Sequence, residues 1–142
     1  MNTFQKLTVL MSMLFLFSAI PTMAQIDNMV TFEAPFAFYA GNAKMPAGSY
    51  RMTQPDDNAE LLLIESANGS HSVFVEYVPV ESGTAPAQTE ITFNKYAKTA
   101  FLNRISLEGQ HLGMQLLTSK AEQNAAKAAA AEKQSLSAKI GR

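Results

Sequence analysis

The sequence predicts an all-β protein: a small antiparallel β-sandwich or barrel of about seven or eight strands, with a C-terminal α-helix. Two observations carry this prediction. Between residues 25 and 118, short runs rich in Phe, Tyr, Val, Ile, Thr and Leu alternate with Gly, Pro and Asn turn signals. From residue 119 onward the aromatic residues stop and alanine dominates. We therefore expect a signal peptide over residues 1–24, a β-sandwich or barrel domain over 25–118 and an Ala-rich helical tail over 119–142.

The first 24 residues have the three parts of a secretory signal peptide. Lys6 supplies a positive charge, the 14 residues Leu7–Ile20 are mostly apolar, and Ala24 is a small residue at the cleavage position shortly after Pro21. A helix of this length spans about 21 Å, which is too short for a hydrocarbon core of about 30 Å. We expect cleavage before Gln25 and export to the periplasm or the extracellular medium; an uncleaved membrane anchor is the alternative.

Composition narrows the function classes. The 142 residues carry 11 basic and 12 acidic side chains, and this near-neutral balance gives no electrostatic reason to expect a nucleic acid or an anionic membrane as partner. The chain has no cysteine, which excludes disulfides, thiolate chemistry and zinc sites built from cysteine. The stability of a single domain must therefore come from an ordinary core, from a partner or from assembly. For a core, residues 25–142 supply ten phenylalanines and tyrosines.

Eight segments have the composition of strands, and the turn residues between them indicate hairpins. Asn68–Gly69 is the strongest hairpin signal, and Ala97–Lys98 is the predicted turn of a second hairpin. Phe32, Phe36 and Phe38 share parity, so we expect them on one face, directed into the core. The predicted strands are residues 30–34, 36–40, 49–53, 61–66, 71–78, 90–96, 100–106 and 111–117.

The tail has residues typical of the start and the end of a helix. Ser119 and Glu122 fit a capping box, in which the serine caps the first turn and the glutamate returns to its amide. Seven alanines follow between residues 121 and 131, Lys139 would lie in the last turn, and Gly141 would end the helix. Because large apolar residues are few, we expect a solvent-exposed tail; a contact arm that packs on another subunit is the alternative.

The opening of the mature chain resembles a known family. The stretch from Phe32 to Arg51 has the pattern "PF-F-x-x-G/N", a short gap and "PAG-T/S-Y", which is found in small secreted proteins of unknown function from soil bacteria, notably Acidobacteria. Residues 63–69 are similar to the family's next hairpin, and residues 119–122 are similar to the segment that ends the family's pattern at the C-terminus. The resemblance implies a β-rich exported domain and supplies no catalytic residues.

His71 and His111 are the histidines of the chain, and neither has a neighbouring His, Cys or carboxylate pair in sequence. A metal site or a hydrolase needs such partners. Each follows a turn signal, so we interpret both as solvated residues.

The run Asp56-Asp57-Asn58-Ala59-Glu60 has oxygen ligands at alternating positions, as at the start of a calcium loop. It lacks the glycine and the distal glutamate that such a loop requires. A polar loop is the favoured interpretation.

Lys95, Lys98 and Arg104 flank one predicted hairpin together with Tyr96 and Phe101. Basic residues interleaved with aromatic ones can bind sugars, phosphates or single-stranded nucleic acid. Three cations offset by acids elsewhere are weak support, so the favoured interpretation is a solvated rim.

No motif of an enzyme is present, and we assign no catalytic, cofactor-binding or metal-binding residue. We therefore expect an exported, non-enzymatic binding or structural protein whose partner is an unknown protein or envelope component, with no transmembrane span after signal cleavage. One alternative is a cell-envelope component that self-associates through its C-terminal helix. Another is a small barrel that carries an apolar ligand, because the strands at residues 61–64 and 73–78 have apolar residues on both faces.

Overall fold

The computed structural model describes residues 29–55 and 60–141, so the predicted signal peptide and residues 56–59 lie outside it. The described residues form ten strands and one helix. No helix in these ranges has the length and apolar character needed to span a bilayer. In chain order the elements are β1 (Val30–Ala34), β2 (Phe38–Ala40), β3 (Ala43–Met45), β4 (Gly48–Thr53), β5 (Leu61–Ser66), β6 (Ser72–Glu81), β7 (Glu90–Tyr96), β8 (Thr99–Ser106), β9 (Leu112–Leu116), α1 (Lys120–Ala128) and β10 (Ala131–Ile140).

Eight strands close into an antiparallel barrel in the order β1-β4-β5-β6-β9-β8-β7-β10, with β10 pairing back to β1. The β2–β3 hairpin lies beside this ring and is attached by a short parallel pairing of β2 with β8. The predicted all-β class is confirmed, and of the two predicted alternatives the closed barrel is the one that forms. Closure leaves none of the eight strands at the end of an open sheet, although β8 and β9 pair over only two residues.

The prediction of a helical tail over residues 119–142 is correct for nine residues and wrong for the ten that form β10. The alanines support a helix only as far as Ala128. Beyond them, Leu136 and Ala138 alternate with polar residues and pack against the core, as in a half-buried strand. Burial of this alternating face outweighs the helix propensity of the segment. Gly141 therefore follows a strand and does not end a helix.

The barrel interior is filled by apolar side chains. Phe93 lies at its centre, with ring centroids 5.4 Å from Phe38, 6.5 Å from Phe32 and 5.3 Å from Phe36. The shared face predicted for the three phenylalanines of the opening segment is thus confirmed, although Phe36 is only half-buried. The core also contains Val30, Ala34, Ala40, Met45, Tyr50, Met52, Leu62, Ile64, Val75, Tyr77, Ile91, Ala100, Leu102, Ile105, Leu107, Met114 and Leu116.

Helix α1 begins at the predicted cap. The hydroxyl of Ser119 accepts a hydrogen bond from the amide of Glu122 at 3.1 Å. The side-chain oxygen of Asn42, in the β2–β3 turn, accepts from the amide of Ala121 at 3.3 Å. The start of α1 is therefore satisfied by its own cap and by the hairpin attached to the barrel.

Glu122 docks α1 on the barrel and does not complete the predicted capping box. Its carboxylate is 5% exposed and accepts hydrogen bonds from the side-chain amide of Asn94 at 2.8 Å and from the hydroxyl of Tyr96 at 3.1 Å. Both partners lie on β7. A buried carboxylate requires such donors, so the helix is held at this position.

Alkaline pH should destabilise the fold through its buried tyrosines. Burial raises the pKa of Tyr50 above 10.0, and burial together with a nearby carboxylate does the same at Tyr77 and Tyr96. Because the folded state holds these protons more tightly, the stabilisation is complete below pH 10 and is lost as the pH rises through the folded-state values. Urea unfolding at stepped pH should show the free energy of unfolding falling above pH 10. The decline should be shallower in Tyr50→Phe, and equal slopes in the two proteins would contradict the assignment.

Candidate ligand-binding surface

The described residues form several open clefts. Four of them have volumes of 260, 410, 440 and 510 Å³, and each is open to solvent. The inward side chains of the barrel form one cluster of buried apolar residues. The polar groups that could bind a ligand lie on the outer face.

The two histidines are far apart and exposed, as predicted for solvated turn residues. His71 precedes β6, and its Nδ1 lies 2.9 Å from the hydroxyl of Ser70. His111 lies beyond the other end of β6, with its Nδ1 3.3 Å from the carbonyl of Ser82. A ten-residue strand separates them by roughly 33 Å, so they cannot act as a pair. The described residues contain no group of three or more His, Asp or Glu placed to hold a metal ion.

The predicted polar loop at residues 56–60 is described only at Glu60, since residues 56–59 lie outside the described ranges. Glu60 follows them directly and begins the approach to β5, where its carbonyl accepts a hydrogen bond from the amide of Tyr77 at 3.0 Å. The oxygen-ligand pattern of this loop stays a prediction.

The basic and aromatic residues predicted around the second hairpin do not form one surface. Phe101 is 3% exposed and stacks on Tyr39 at 5.0 Å, with Tyr96 edge-on at 5.8 Å. Phe101 is therefore buried, whereas Tyr39 and Tyr96 are half-buried and pack against it. Lys98 is exposed in the turn, whereas Arg104 lies towards the other end of β8. Of this group, Arg104 alone takes part in the cleft described next.

A continuous polar surface covers the outside of β10, β7, β8 and β9. Cross-strand register aligns Ser135 with Thr92, Thr92 with Arg104, and Arg104 with Gln115 in one row across the four strands. A second row contains Ser137, Glu90 and Ser106. The 410 Å³ cleft lies on this surface. We refer to the following residues as the polar face: Glu90, Thr92, Asn103, Arg104, Ser106, Gln115, Lys133, Ser135 and Ser137.

Arg104 is held at the polar face without a carboxylate partner. Its Nη2 donates to the hydroxyl of Ser82 at 2.5 Å, while its Nε is buried and has no hydrogen-bond partner within the described residues. The guanidinium packs so closely against Gly113 that a Cβ atom added to this glycine would lie 3.3 Å from the Nε of Arg104. No carboxylate of the described residues lies close enough to form an ion pair with this cation.

Lys133 brings a second cation to the same place. Its ammonium donates to the side-chain oxygen of Asn103 at 3.0 Å and to that of Asn94. Asn94 in turn donates to the buried carboxylate of Glu122, so one amide links the ammonium to helix α1. Neither Lys133 nor Arg104 forms an ion pair with a carboxylate in the described part of the chain. Two cations therefore flank Asn103 in one cleft.

Sequence reasoning considered Arg104 but favoured a solvated rim for it, and it did not consider Lys133. The lysine lies in the segment that was expected to be helical, and a helix would not have placed it beside β8. The alternation Ser135-Leu136-Ser137-Ala138 is the signal that could have indicated a strand. Even so, only the pairing of β10 with β7 brings Lys133 to the cleft.

Substituting Gly113 should disturb the wall of the cleft. In Gly113→Ala the added Cβ would lie 2.9 Å from the carbonyl oxygen of Ile105, so β8 and β9 must separate locally. We expect a loss of about 1–3 kcal/mol in the free energy of unfolding, as for other overpacked sites. Gly83→Ala is the matched control, because nothing lies within 4 Å of its Cβ position. Chemical denaturation of both variants measures the difference, and equal stability would show that the contact is relieved without cost.

The outside of β5 and β6 has a different character. Phe74 is 58% exposed, Val78 41% and Leu117 51%. Leu63 lies opposite Phe74 across the strand pair. The 510 Å³ cleft beside them is lined by Phe74, Leu117 and the β2–β3 turn. This side of the barrel is an exposed apolar patch, consisting of Leu63, Phe74, Val78 and Leu117.

No protein-family model, no curated protein and no solved structure matches this chain. Its function is therefore inferred from its own residues.

Proposed function

We propose that this chain is an exported binding protein without catalytic activity, and that it binds its ligand on the outside of the barrel. The observation that carries the proposal is the contrast between a core of buried apolar side chains and a polar face with two cations that form no ion pair among the described residues. A protein whose core is fully packed has only its surface for recognition. The polar groups of the cleft converge on one place, and the described residues contain no group of three or more His, Asp or Glu placed to hold a metal ion.

Export is the second part of the proposal. It is supported by the charge at Lys6, the apolar run Leu7–Ile20 and the small residue Ala24. The resemblance to small secreted proteins of soil bacteria points the same way. N-terminal sequencing of the protein recovered outside the cytoplasm tests it, with Gln25 as the expected first residue and retention of Met1 as the contrary result.

The carrier of an apolar ligand receives less support. The residues that suggested it divide between the two sides of the barrel wall: Leu62 and Ile64 are buried in the core, whereas Phe74 and Val78 face solvent. The apolar residues at successive positions thus supply a packed interior and an outer patch. An apolar guest would have to displace the packed core side chains.

An NMR titration distinguishes surface binding from interior binding. Residues 25–142 are titrated with oleate, with the neutral polymer dextran and with the acidic polymer polygalacturonate. We expect at least one polymer to shift amide signals on the outward strand faces while the methyl signals of Leu62, Ile91 and Met114 stay in place. If oleate shifts only the signals of those methyl groups, the result would support a carrier of an apolar ligand instead. No response to any of the three would contradict the proposal.

A second candidate is self-association, now favoured by a surface other than the helix. Helix α1 packs on its own barrel and β10 closes the ring, so neither is free as the arm that the sequence suggested. The apolar patch around Phe74 is the exposed surface that an interface between copies would bury. Light scattering of residues 25–142 and of Phe74→Ser tests it: a dimer that the substitution dissociates supports self-association, and a monomer in both removes it.

A further inference from the structure

We propose that the polar face binds an acidic saccharide, with Arg104 and Lys133 holding its oxyanion and Glu90 accepting its hydroxyl groups. This inference rests on the proposed function and names the ligand class of the same surface. It follows from three features of the cleft: positive charge that forms no ion pair among the described residues, one carboxylate among neutral hydrogen-bonding groups, and a small volume.

The first feature is the charge. The guanidinium of Arg104 donates from Nη2 to the neutral hydroxyl of Ser82 and forms no ion pair among the described residues. Its Nε is buried against Gly113, so a ligand in the cleft would be bound by the other guanidinium nitrogens. Lys133 is satisfied only by the neutral oxygens of Asn94 and Asn103. An oxyanion bound between the two cations would form charge-assisted hydrogen bonds that the described chain does not provide.

The second feature is the position of Glu90, which selects against highly charged ligands. It lines the same cleft as the two cations, and its carboxylate would repel a phosphate chain or a nucleic acid backbone. The same carboxylate is a strong acceptor for hydroxyl groups. A ligand with a single oxyanion and several hydroxyls satisfies both requirements, and a sugar acid has this combination.

The remaining lining groups match a sugar. Ser82, Thr84, Thr92 and Ser106 offer hydroxyls that both donate and accept, and Gln115 adds an amide. The amide of Gln115 donates to the carbonyl of Asn103 at 3.1 Å, which fixes its orientation. These neutral groups can bond to ring hydroxyls in either direction.

The third feature is size and preorganisation. A volume of 410 Å³ falls at the small end of ligand sites, which suits one or two sugar rings. Both cations are already positioned, Arg104 by Ser82 and Lys133 by two asparagines. Binding therefore orders little that is not ordered in the free protein.

The experiment is a calorimetric and NMR titration of residues 25–142 with D-galacturonate and its trimer. Neutral D-galactose tests the need for the acid, and inorganic sulfate tests whether a bare oxyanion suffices. We expect galacturonate to bind and galactose to give no response. The trimer should bind no more tightly than galacturonate, because its two further carboxylates are repelled by Glu90 and its third ring extends beyond the cleft. Sulfate should bind more weakly than galacturonate because it has no hydroxyl group for Glu90.

Substitutions at the cleft should change the affinities for galacturonate and for sulfate in different ways. Arg104→Gln and Lys133→Gln should each weaken galacturonate binding about tenfold, the effect expected for losing one charge-assisted hydrogen bond. Glu90→Gln should weaken galacturonate but strengthen sulfate, because it removes both an acceptor and a repulsive charge. The matched control is Lys139→Gln, since Lys139 is an exposed lysine of the same strand that lines a different cleft. Thermal unfolding shows whether each variant is folded.

The outcomes separate this inference from the proposed function. Sulfate binding as tight as galacturonate binding, or equal affinity in Arg104→Gln and the wild type, would overturn the saccharide inference. If the acidic sugars do not bind while dextran still shifts the amide signals of the outward strand faces, the saccharide inference is wrong and the proposed function stands. If no probe binds the folded wild type, both are wrong.

Discussion

A chain that ends at Ala130 should not form the barrel. β10 pairs with β7 at seven positions and with β1 at three, and it is the strand that joins these two. Removing it exposes an edge of β7 and an edge of β1, and it takes Leu136 and Ala138 from the core. A domain of this size has a total stability of about 5–15 kcal/mol, and loss of a barrel strand is expected to consume most of it. Circular dichroism and size-exclusion chromatography should show an unfolded or aggregated chain.

Two substitutions in the same strand provide a matched test. Leu136→Asp would place a carboxylate against the core and should destabilise the protein strongly, whereas Ser135→Asp places it on the exposed side and should have little effect on stability. If residues 131–140 were an exposed helix, both variants and the truncation would remain folded. That result would contradict the barrel closure described here.

Replacing Phe93 with alanine should cause the largest loss expected from a single core truncation. Its ring is fully buried and contacts the rings of Phe32, Phe36 and Phe38. The rings that contact Phe93 belong to β1, β2 and the loop between them. Because these backbones are held by strand pairing, the surrounding side chains cannot move in to fill the space that the ring leaves. We expect a loss of about 3–5 kcal/mol in the free energy of unfolding, which combines lost burial and the cost of a cavity.

Phe74→Ala is the control for this prediction. Phe74 is also a strand phenylalanine but is 58% exposed on the outer face, so its truncation should change stability by less than about 1 kcal/mol. Urea denaturation of the two variants measures the difference directly. A similar loss in both would mean that Phe74 is covered in solution, as it would be in a self-associated protein.

Much of the fold was predictable because strand signals are local. The Asn68–Gly69 turn, the parity of Phe32 and Phe38, and the Ala97–Lys98 turn each depend on residues next to one another in the chain. Turn geometry and side-chain alternation are enough to determine them. The short strand β3 was missed because three residues between two turns carry too little pattern to detect.

The candidate site was far less predictable, because it is assembled from distant parts of the chain. Arg104 stands out as a basic residue on a strand, but Lys133, the second cation of the cleft, is 29 positions away, just after a segment rich in helix-forming alanine. Glu122 was expected to cap its own helix, and it instead accepts hydrogen bonds from β7. Such contacts depend on which strands become neighbours, and local sequence patterns do not contain that information.

By itself, the amino-acid sequence determined the all-β class, most strand boundaries, the capped start of α1 and the aromatic set that fills the core. These features follow from backbone preferences and from the alternation of apolar residues, which act over a few positions. Tertiary structure alone decided that residues 131–140 become the closing strand and that Lys133 lies near Arg104. The reason is physical: an eight-stranded sheet gains more by pairing two open edges and covering its core than a short alanine-rich segment gains as an isolated helix.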